Sequence, residues 1–121
     1  DTIIHADTGP EVITGSTRMK AGTATKMILN MISTATMVKL GKVYGNLMVD
    51  LMAVNKKLID RGARIIMQLT DLDYDKARES LMIADGSVKL ALVMQHHGCD
   101  IEEAKRKLMN ASGFLARVID Q

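Results

Sequence analysis

The segment around which this chain is organised reads Thr14-Gly15-Ser16-Thr17-Arg18-Met19-Lys20-Ala21-Gly22-Thr23-Ala24-Thr25-Lys26. Its first half has the composition of a loop, because Gly15 lets the backbone bend freely. Ser16 or Thr17 then offers a side-chain oxygen that can accept a hydrogen bond from the first free N–H groups of a helix. The segment therefore predicts a loop that runs directly into a capped helix.

Positive charge gathers at this predicted helix start, where Arg18, Lys20 and Lys26 lie close together in sequence. Free N–H groups and the helix dipole already favour an anion there, and a guanidinium can add two parallel hydrogen bonds to a phosphate. We expect residues 14–26, called the basic corner below, to bind a phosphate or carboxylate. An ordinary capped helix with surface lysines has the same composition. The corner is not a P-loop, because Met19 stands where that motif requires glycine.

The remaining sequence predicts helices separated by clear breaks, preceded by a short strand at residues 2–5. Apolar residues recur at helical spacing in two long stretches. The first long helix is expected from about Arg18 to Leu40 and the second from about Leu47 to Leu69, joined through a turn at Gly45. Three short helices follow Leu72, with Asp73, Ser87 and Asp100 as caps and breaks at Gly86, Gly98 and Ser112-Gly113.

The composition excludes several classes of protein. The 121 residues suit one small domain or a piece of a larger protein, and we expect a fragment because Asp1 opens the chain without an initiator methionine. The net charge of +2 does not favour nucleic acid, and no apolar run is long enough to span a membrane. Cys99 is the single cysteine, which excludes an internal disulfide and agrees with the cytoplasm.

Ten methionines and few aromatic residues predict a soft, methionine-rich core.

The acidic run Asp71-x-Asp73-x-Asp75 imitates the start of a calcium-binding loop. That loop needs glycine at its sixth position and glutamate at its twelfth, where this chain has Lys76 and Met82. Helix capping is therefore the expected role of these carboxylates.

His96, His97 and Cys99 are zinc-ligand types at close spacing. Adjacent helical residues point about 100° apart and no second ligand pair follows, so we expect no metal site. Glu11 is the one carboxylate near the basic corner. Two roles stay open for it, either general acid or base in a reaction or stabilisation of the loop.

Three runs of sequence resemble a known family. The runs are Gly9-Pro10-Glu11-Val12-Ile13 continuing to Lys26, then Leu29-Asn30-Met31, then Gly41-Lys42-Val43-Tyr44-Gly45-Asn46-Leu47-Met48-Val49-Asp50. They resemble the C-terminal part of the N-acetylmuramic acid 6-phosphate etherases, which have a sugar isomerase (SIS) domain with a parallel sheet flanked by helices. The resemblance implies a mainly α chain. Residues 1–46 would end the SIS domain, with residues 2–5 as its last strand, frayed or paired with another chain. Residues 47–71 would be a connecting long helix and residues 72–121 a three-helix subdomain similar to ubiquitin-associated (UBA) domains.

The same resemblance implies a chemistry. Enzymes of this family are cytoplasmic lyases that cleave the D-lactyl ether of N-acetylmuramic acid 6-phosphate to N-acetylglucosamine 6-phosphate and D-lactate, without metal or cofactor, and a homodimer is expected. The two working glutamates of the family lie outside the matched runs, so no catalytic residue is placed on this chain and it is expected to be inactive alone. Ser16, Thr17 and Lys20 are the expected substrate contacts.

Two other functions stay open. The basic corner would also suit a sugar-phosphate-binding regulator similar to glucokinase regulatory protein, in which binding occurs without chemistry. An apolar stripe through Leu51, Leu58, Ile65 and Leu69 would suit a helical interaction module that brings copies of a chain together.

Overall fold

The structure, a computed structural model, describes residues 1–120. It is mainly helical, as the sequence predicts. The elements in order are α1 (Lys20–Lys39), β1 (Val43–Tyr44), β2 (Leu47–Met48), α2 (Lys56–Leu69), α3 (Tyr74–Ile83), α4 (Val88–His97), α5 (Ile101–Asn110) and α6 (Ala116–Ile119). The chain separates into two compact units, Asp1–Met37 and Val38–Gln121.

The first unit consists of a loop followed by most of α1. Residues 2–5 do not form the predicted strand, because no neighbouring strand within residues 1–120 supplies the backbone hydrogen bonds that a strand requires. Ile3 is accordingly 92% exposed. The helix α1 begins two residues later and ends one residue earlier than predicted.

The predicted apolar face of α1 exists, but nothing within residues 1–120 buries it. No residue of α1 is buried, and Met31 and Ile32 are 59% and 50% exposed. A helix with so much apolar surface is normally covered in a folded protein.

The second unit opens with a β-hairpin. Val43 is paired with Met48 and Tyr44 with Leu47, in antiparallel register. Gly45 forms the turn at φ +54°, a left-handed conformation that glycine adopts without strain. The predicted turn at Gly45 is therefore confirmed.

The prediction that the second long helix begins near Leu47 is wrong, because α2 begins at Lys56. The residues between are extended and pair with the start of α4. The N–H of Ala53 donates to Gly86 O at 2.8 Å, and the N–H of Val88 donates to Leu51 O at 3.3 Å. These bonds hold the segment outside the helix, so the predicted helical stripe is correct only for its later residues.

The predicted caps of the three short helices are confirmed. Asp73 accepts a hydrogen bond from Lys76 N at 2.9 Å, Ser87 from Leu90 N at 3.4 Å, and Asp100 from Glu103 N at 2.8 Å. Gly98 ends α4 in the left-handed conformation, at φ +59°. In each case a helix starts where a short polar side chain satisfies the third backbone N–H.

The core of the second unit lies between α2, α3 and α4. Its largest fully buried side chains are Ile66, Leu81, Leu92, Leu115, Val49, Val88 and Val93. Gly62 allows α2 to approach closely, because a Cβ atom there would lie 2.8 Å from Leu81 Cδ2.

The prediction of a methionine-rich core is wrong. Nine of the ten methionines are exposed, and Met94 is half-buried. Leucine, isoleucine, valine and alanine fill the interior instead, since their shorter side chains suit the close helix spacing.

Candidate functional site

A carboxylate from the loop occupies the N terminus of α1. Glu11 Oε2 accepts a hydrogen bond from Lys20 N, and Oε1 accepts one from Ala21 N, both at 3.1 Å. These two N–H groups are among those that a helix start leaves without an intrahelical partner. The expectation that Ser16 or Thr17 caps the helix is therefore wrong. Glu11 brings a full negative charge and two acceptor oxygens, which suit the positive helix end better than a hydroxyl.

The same hydrogen bonds favour the ionised form of Glu11. The backbone N–H groups of Lys20 and Ala21 lower the pKa of Glu11, and the Lys20 ammonium group lowers this pKa further. A carboxyl whose pKa lies below its ordinary value is a weak base near neutral pH. The geometry therefore favours the loop-stabilising role of Glu11 over general acid or base catalysis.

The Lys20 side chain adds a third bond between the same two segments. Its ammonium group donates to Pro10 O at 2.8 Å. Pro10 and Glu11 are thereby tied to the first two residues of α1, and residues 12–19 form a closed loop between them. Within that loop Ser16 N donates to Ile13 O at 3.0 Å.

The hydroxyl groups of Ser16 and Thr17 make no hydrogen bond within residues 1–120. Ser16 is half-buried, whereas Thr17 and Lys20 are exposed. The three predicted contact residues all lie in or next to the segment that leads into the start of α1. Whether they contact a ligand stays a prediction.

Comparison with known proteins shows what this chain is related to. It is 59% identical over 114 residues to the N-acetylmuramic acid 6-phosphate etherase of Oceanobacillus iheyensis, an alignment that covers 94% of this chain and 39% of that protein. The etherase of Mycolicibacterium smegmatis is 53% identical over 119 residues, covering 98% of this chain and 40% of that protein. This chain is related to the N-acetylmuramic acid 6-phosphate etherases. The family resemblance predicted from the sequence is confirmed.

The chain spans about two fifths of the length of the curated etherases that it matches. The etherase of Pseudoalteromonas atlantica, 51% identical, aligns with all 121 residues and is covered over 39% of its own length. No protein-family model matches the chain.

A second polar cluster in this chain was not predicted. Lys89 is buried in α4, and its Nζ lies 3.0 Å from Asp50 Oδ1 and 2.9 Å from Gly113 O. Lys42 forms a second ion pair with Asp50. Burial raises the pKa of Asp50, but hydrogen bonds from Lys42 and Lys89 outweigh it, so this pKa lies below its ordinary value. A lysine within the apolar run Val88–Val93 is the sequence signal that could have pointed to this cluster.

The cluster joins three parts of the second unit. Asp50 follows the hairpin, Lys89 lies in the first turn of α4, and Gly113 lies between α5 and α6. We assign the cluster a structural role, because each charged group has a partner within the chain.

The metal-ligand candidates have other contacts. The rings of His96 and His97 lie 5.0 Å apart, and His97 Nε2 lies 2.9 Å from Val118 O. Cys99 Sγ lies 4.0 Å from Val93 O. Within residues 1–120 no three His, Cys, Asp or Glu side chains are grouped as a metal ion requires. In the same part of the chain, each helix is too short or too polar to span a membrane.

Proposed function

We propose that this chain is the C-terminal portion of an N-acetylmuramic acid 6-phosphate etherase. The whole enzyme would be a cytoplasmic carbon–oxygen lyase that splits the D-lactyl ether of its substrate into N-acetylglucosamine 6-phosphate and D-lactate. The observation that carries the proposal is the identity of 50–59% to eight curated etherases across 94–100% of this chain. No observation favours the regulator instead.

In this proposal the chain supplies one wall of the substrate pocket. The hydroxyl groups of Ser16 and Thr17 can donate to and accept from a sugar, since no group within residues 1–120 engages them. Lys20 adds positive charge at the same corner. The acid and base that break the ether are expected on the part of the enzyme that this chain does not cover, so the chain alone would be inactive.

The exposed apolar surface supports a larger assembly. The uncovered side chains of α1, which include Met27, Met31 and Met37, would be buried if residues 1–46 complete an SIS domain and the enzyme is a homodimer. Residues 47–71 would connect this domain to a UBA-like subdomain at residues 72–121.

A chimera tests the pocket wall. This chain would replace the matched segment of the Oceanobacillus iheyensis etherase, and D-lactate release would be measured. We expect the chimera to be active and the isolated chain to be inactive. Replacing both hydroxyls, Ser16→Ala with Thr17→Ala, should lower kcat/KM about fivefold to 150-fold, because each lost hydrogen bond costs about 0.5–1.5 kcal/mol.

The matched control is Ser112→Gly, which removes an exposed hydroxyl from the second unit at a left-handed position that glycine tolerates. It should leave kcat/KM unchanged. Robust D-lactate release by the isolated chain would contradict the proposal that the catalytic acid and base lie outside it. An unchanged kcat/KM in the double variant would remove Ser16 and Thr17 from the pocket.

A further inference from the structure

The N terminus of α1 is the natural place in this corner for a phosphate, yet an anion from the chain itself already lies there. The two Glu11 oxygens take up the N–H groups of Lys20 and Ala21, each at 3.1 Å. An incoming phosphate would have to displace this carboxylate or approach it closely, and two anions at one short distance repel.

We propose that Glu11 is a positioning residue that closes the N terminus of α1 to phosphate and holds residues 12–19 in their binding conformation. The corner would then recognise the uncharged, hydroxyl-bearing part of an amino-sugar phosphate through Ser16 and Thr17. The sugar part of this inference rests on the proposed function. The closure to phosphate does not, because it depends only on contacts within this chain.

Competition favours the internal carboxylate. Glu11 lies nine residues before Lys20 on the same chain, so its local concentration at the helix start is on the order of millimolar or higher. Its lowered pKa keeps it ionised at neutral pH, so it remains an acceptor under the conditions in which a phosphate would compete.

The Lys20 side chain strengthens the closure. Its ammonium group, the nearest cation to the helix start in sequence, is bonded to Pro10 O at 2.8 Å. A phosphate at the N terminus of α1 would have to recruit this group away from the loop. The Glu11 side chain bonds to the start of α1, and the Lys20 side chain bonds back to Pro10, so both side chains hold the same two segments together.

Inorganic phosphate titrated into the ¹⁵N-labelled 121-residue chain tests the closure by NMR. In the unsubstituted chain the amide signals of Lys20 and Ala21 should move with the ionisation of Glu11 in a pH titration and should not respond to phosphate at neutral pH. In Glu11→Ala the same two signals should become phosphate-sensitive, with at least a tenfold gain in affinity.

Two further variants keep the test decisive. Glu11→Gln retains the shape and an oxygen acceptor without the charge, so it should show an intermediate response even if Glu11→Ala frays the start of α1. Asp7→Ala removes another loop carboxylate, which accepts from Gly9 N and not from α1, and should gain no phosphate response.

Phosphate-dependent shifts of Lys20 and Ala21 in the unsubstituted chain would overturn the proposal. So would the absence of any gain in both Glu11 variants. Neither outcome depends on ether cleavage, so the result is separable from the fate of the proposed enzymatic function.

Discussion

Lys89 is a buried charged residue in the second unit, whose core otherwise consists mainly of aliphatic side chains. Its side chain is only 10% exposed, and within residues 1–120 its ammonium group contacts the Asp50 carboxylate and the Gly113 carbonyl. A buried cation is costly unless opposite charge and hydrogen bonds compensate for the lost water. Asp50 therefore matters more than its partly exposed position suggests.

Asp50→Asn should destabilise the chain by roughly 1–3 kcal/mol, because the ammonium group of Lys89 keeps its burial but loses its counter-charge. Urea unfolding at neutral pH would measure the change. Glu102→Gln is the matched control, since Glu102 pairs with Lys105 on the surface, where both side chains are largely exposed. Equal effects of the two substitutions would contradict a special role for Asp50.

Glu11 is a residue of the first unit whose role is decided by its hydrogen bonds to the start of α1. The sequence places a glutamate near a basic loop, where stabilisation of the loop is the expected role and general acid or base catalysis is the alternative. Its two bonds to the start of α1 favour the stabilising role. The identity of the cap could not be predicted, because the eight residues 12–19 separate Glu11 from Lys20 and many loop conformations join them.

At the scale of single elements, local signals are the dependable ones. Asp73, Ser87 and Asp100 cap the helices that the sequence assigns to them. Each cap needs only a side-chain oxygen and an N–H three residues away, so no distant part of the chain takes part. The start of α2 differs because backbone bonds to residues 86–88 keep residues 51–53 extended.

Asn55 marks the true start of α2, where its side chain accepts from Leu58 N at 3.0 Å. Asn55→Ala should cost about 1 kcal/mol of unfolding free energy, because the third N–H of the helix loses its partner. Chemical denaturation monitored by circular dichroism would measure this loss. Asn55→Ser keeps a capping oxygen and should stay close to the unsubstituted chain; a loss as large as that of alanine would argue against capping.

At the scale of the whole molecule, folding shifts the pKa values of several groups in the second unit, so stability depends on pH. The pKa values of three carboxyl groups are lowered and those of two tyrosines are raised. Hydrogen bonds from Arg64 and Tyr74 lower the pKa of Asp60, and those from the Lys76 backbone and side chain lower the pKa of Asp73. The pKa of Asp50 is lowered as well. These carboxylates therefore bind protons more weakly when folded than when unfolded.

The free energy of unfolding of the second unit should be nearly constant between about pH 4 and about pH 10 and should fall outside this range. Above about pH 4, the ordinary range of free carboxyl groups, the contribution of the carboxylates is complete, and it is lost as pH falls through their lower folded pKa values. Hydrogen bonds to Asp120 and Asp60 raise the pKa of Tyr44 and of Tyr74, so their contribution is present below about pH 10 and is lost above it.

Urea midpoints measured across this pH range would test the plateau. Asp50→Asn should make the acid limb shallower and leave the alkaline limb unchanged, since only the first depends on that carboxylate. A midpoint that rises on acidification would contradict the linkage.

The exposed methionines and the uncovered α1 also belong to this scale. A sequence with ten methionines predicts an interior that contains them, yet residues 1–120 expose nine. Composition says which side chains are apolar and does not say against which surface they pack. For the exposed side chains of α1, we propose that this surface belongs to the portion of a longer protein that the matched relatives contain and this chain does not.

The sequence by itself determined the helical class, the caps of the short helices, the turn at Gly45 and the relation to the etherases. The first three depend on side chains within a few residues of one another, and the relation to the etherases depends on motifs that are continuous in the sequence. Only the tertiary structure decided the extended segment before α2, the Glu11 cap and the Lys89–Asp50 pair. Each of these joins residues distant in sequence, and such contacts form only when the folded chain repays the entropy of closing the loop between them.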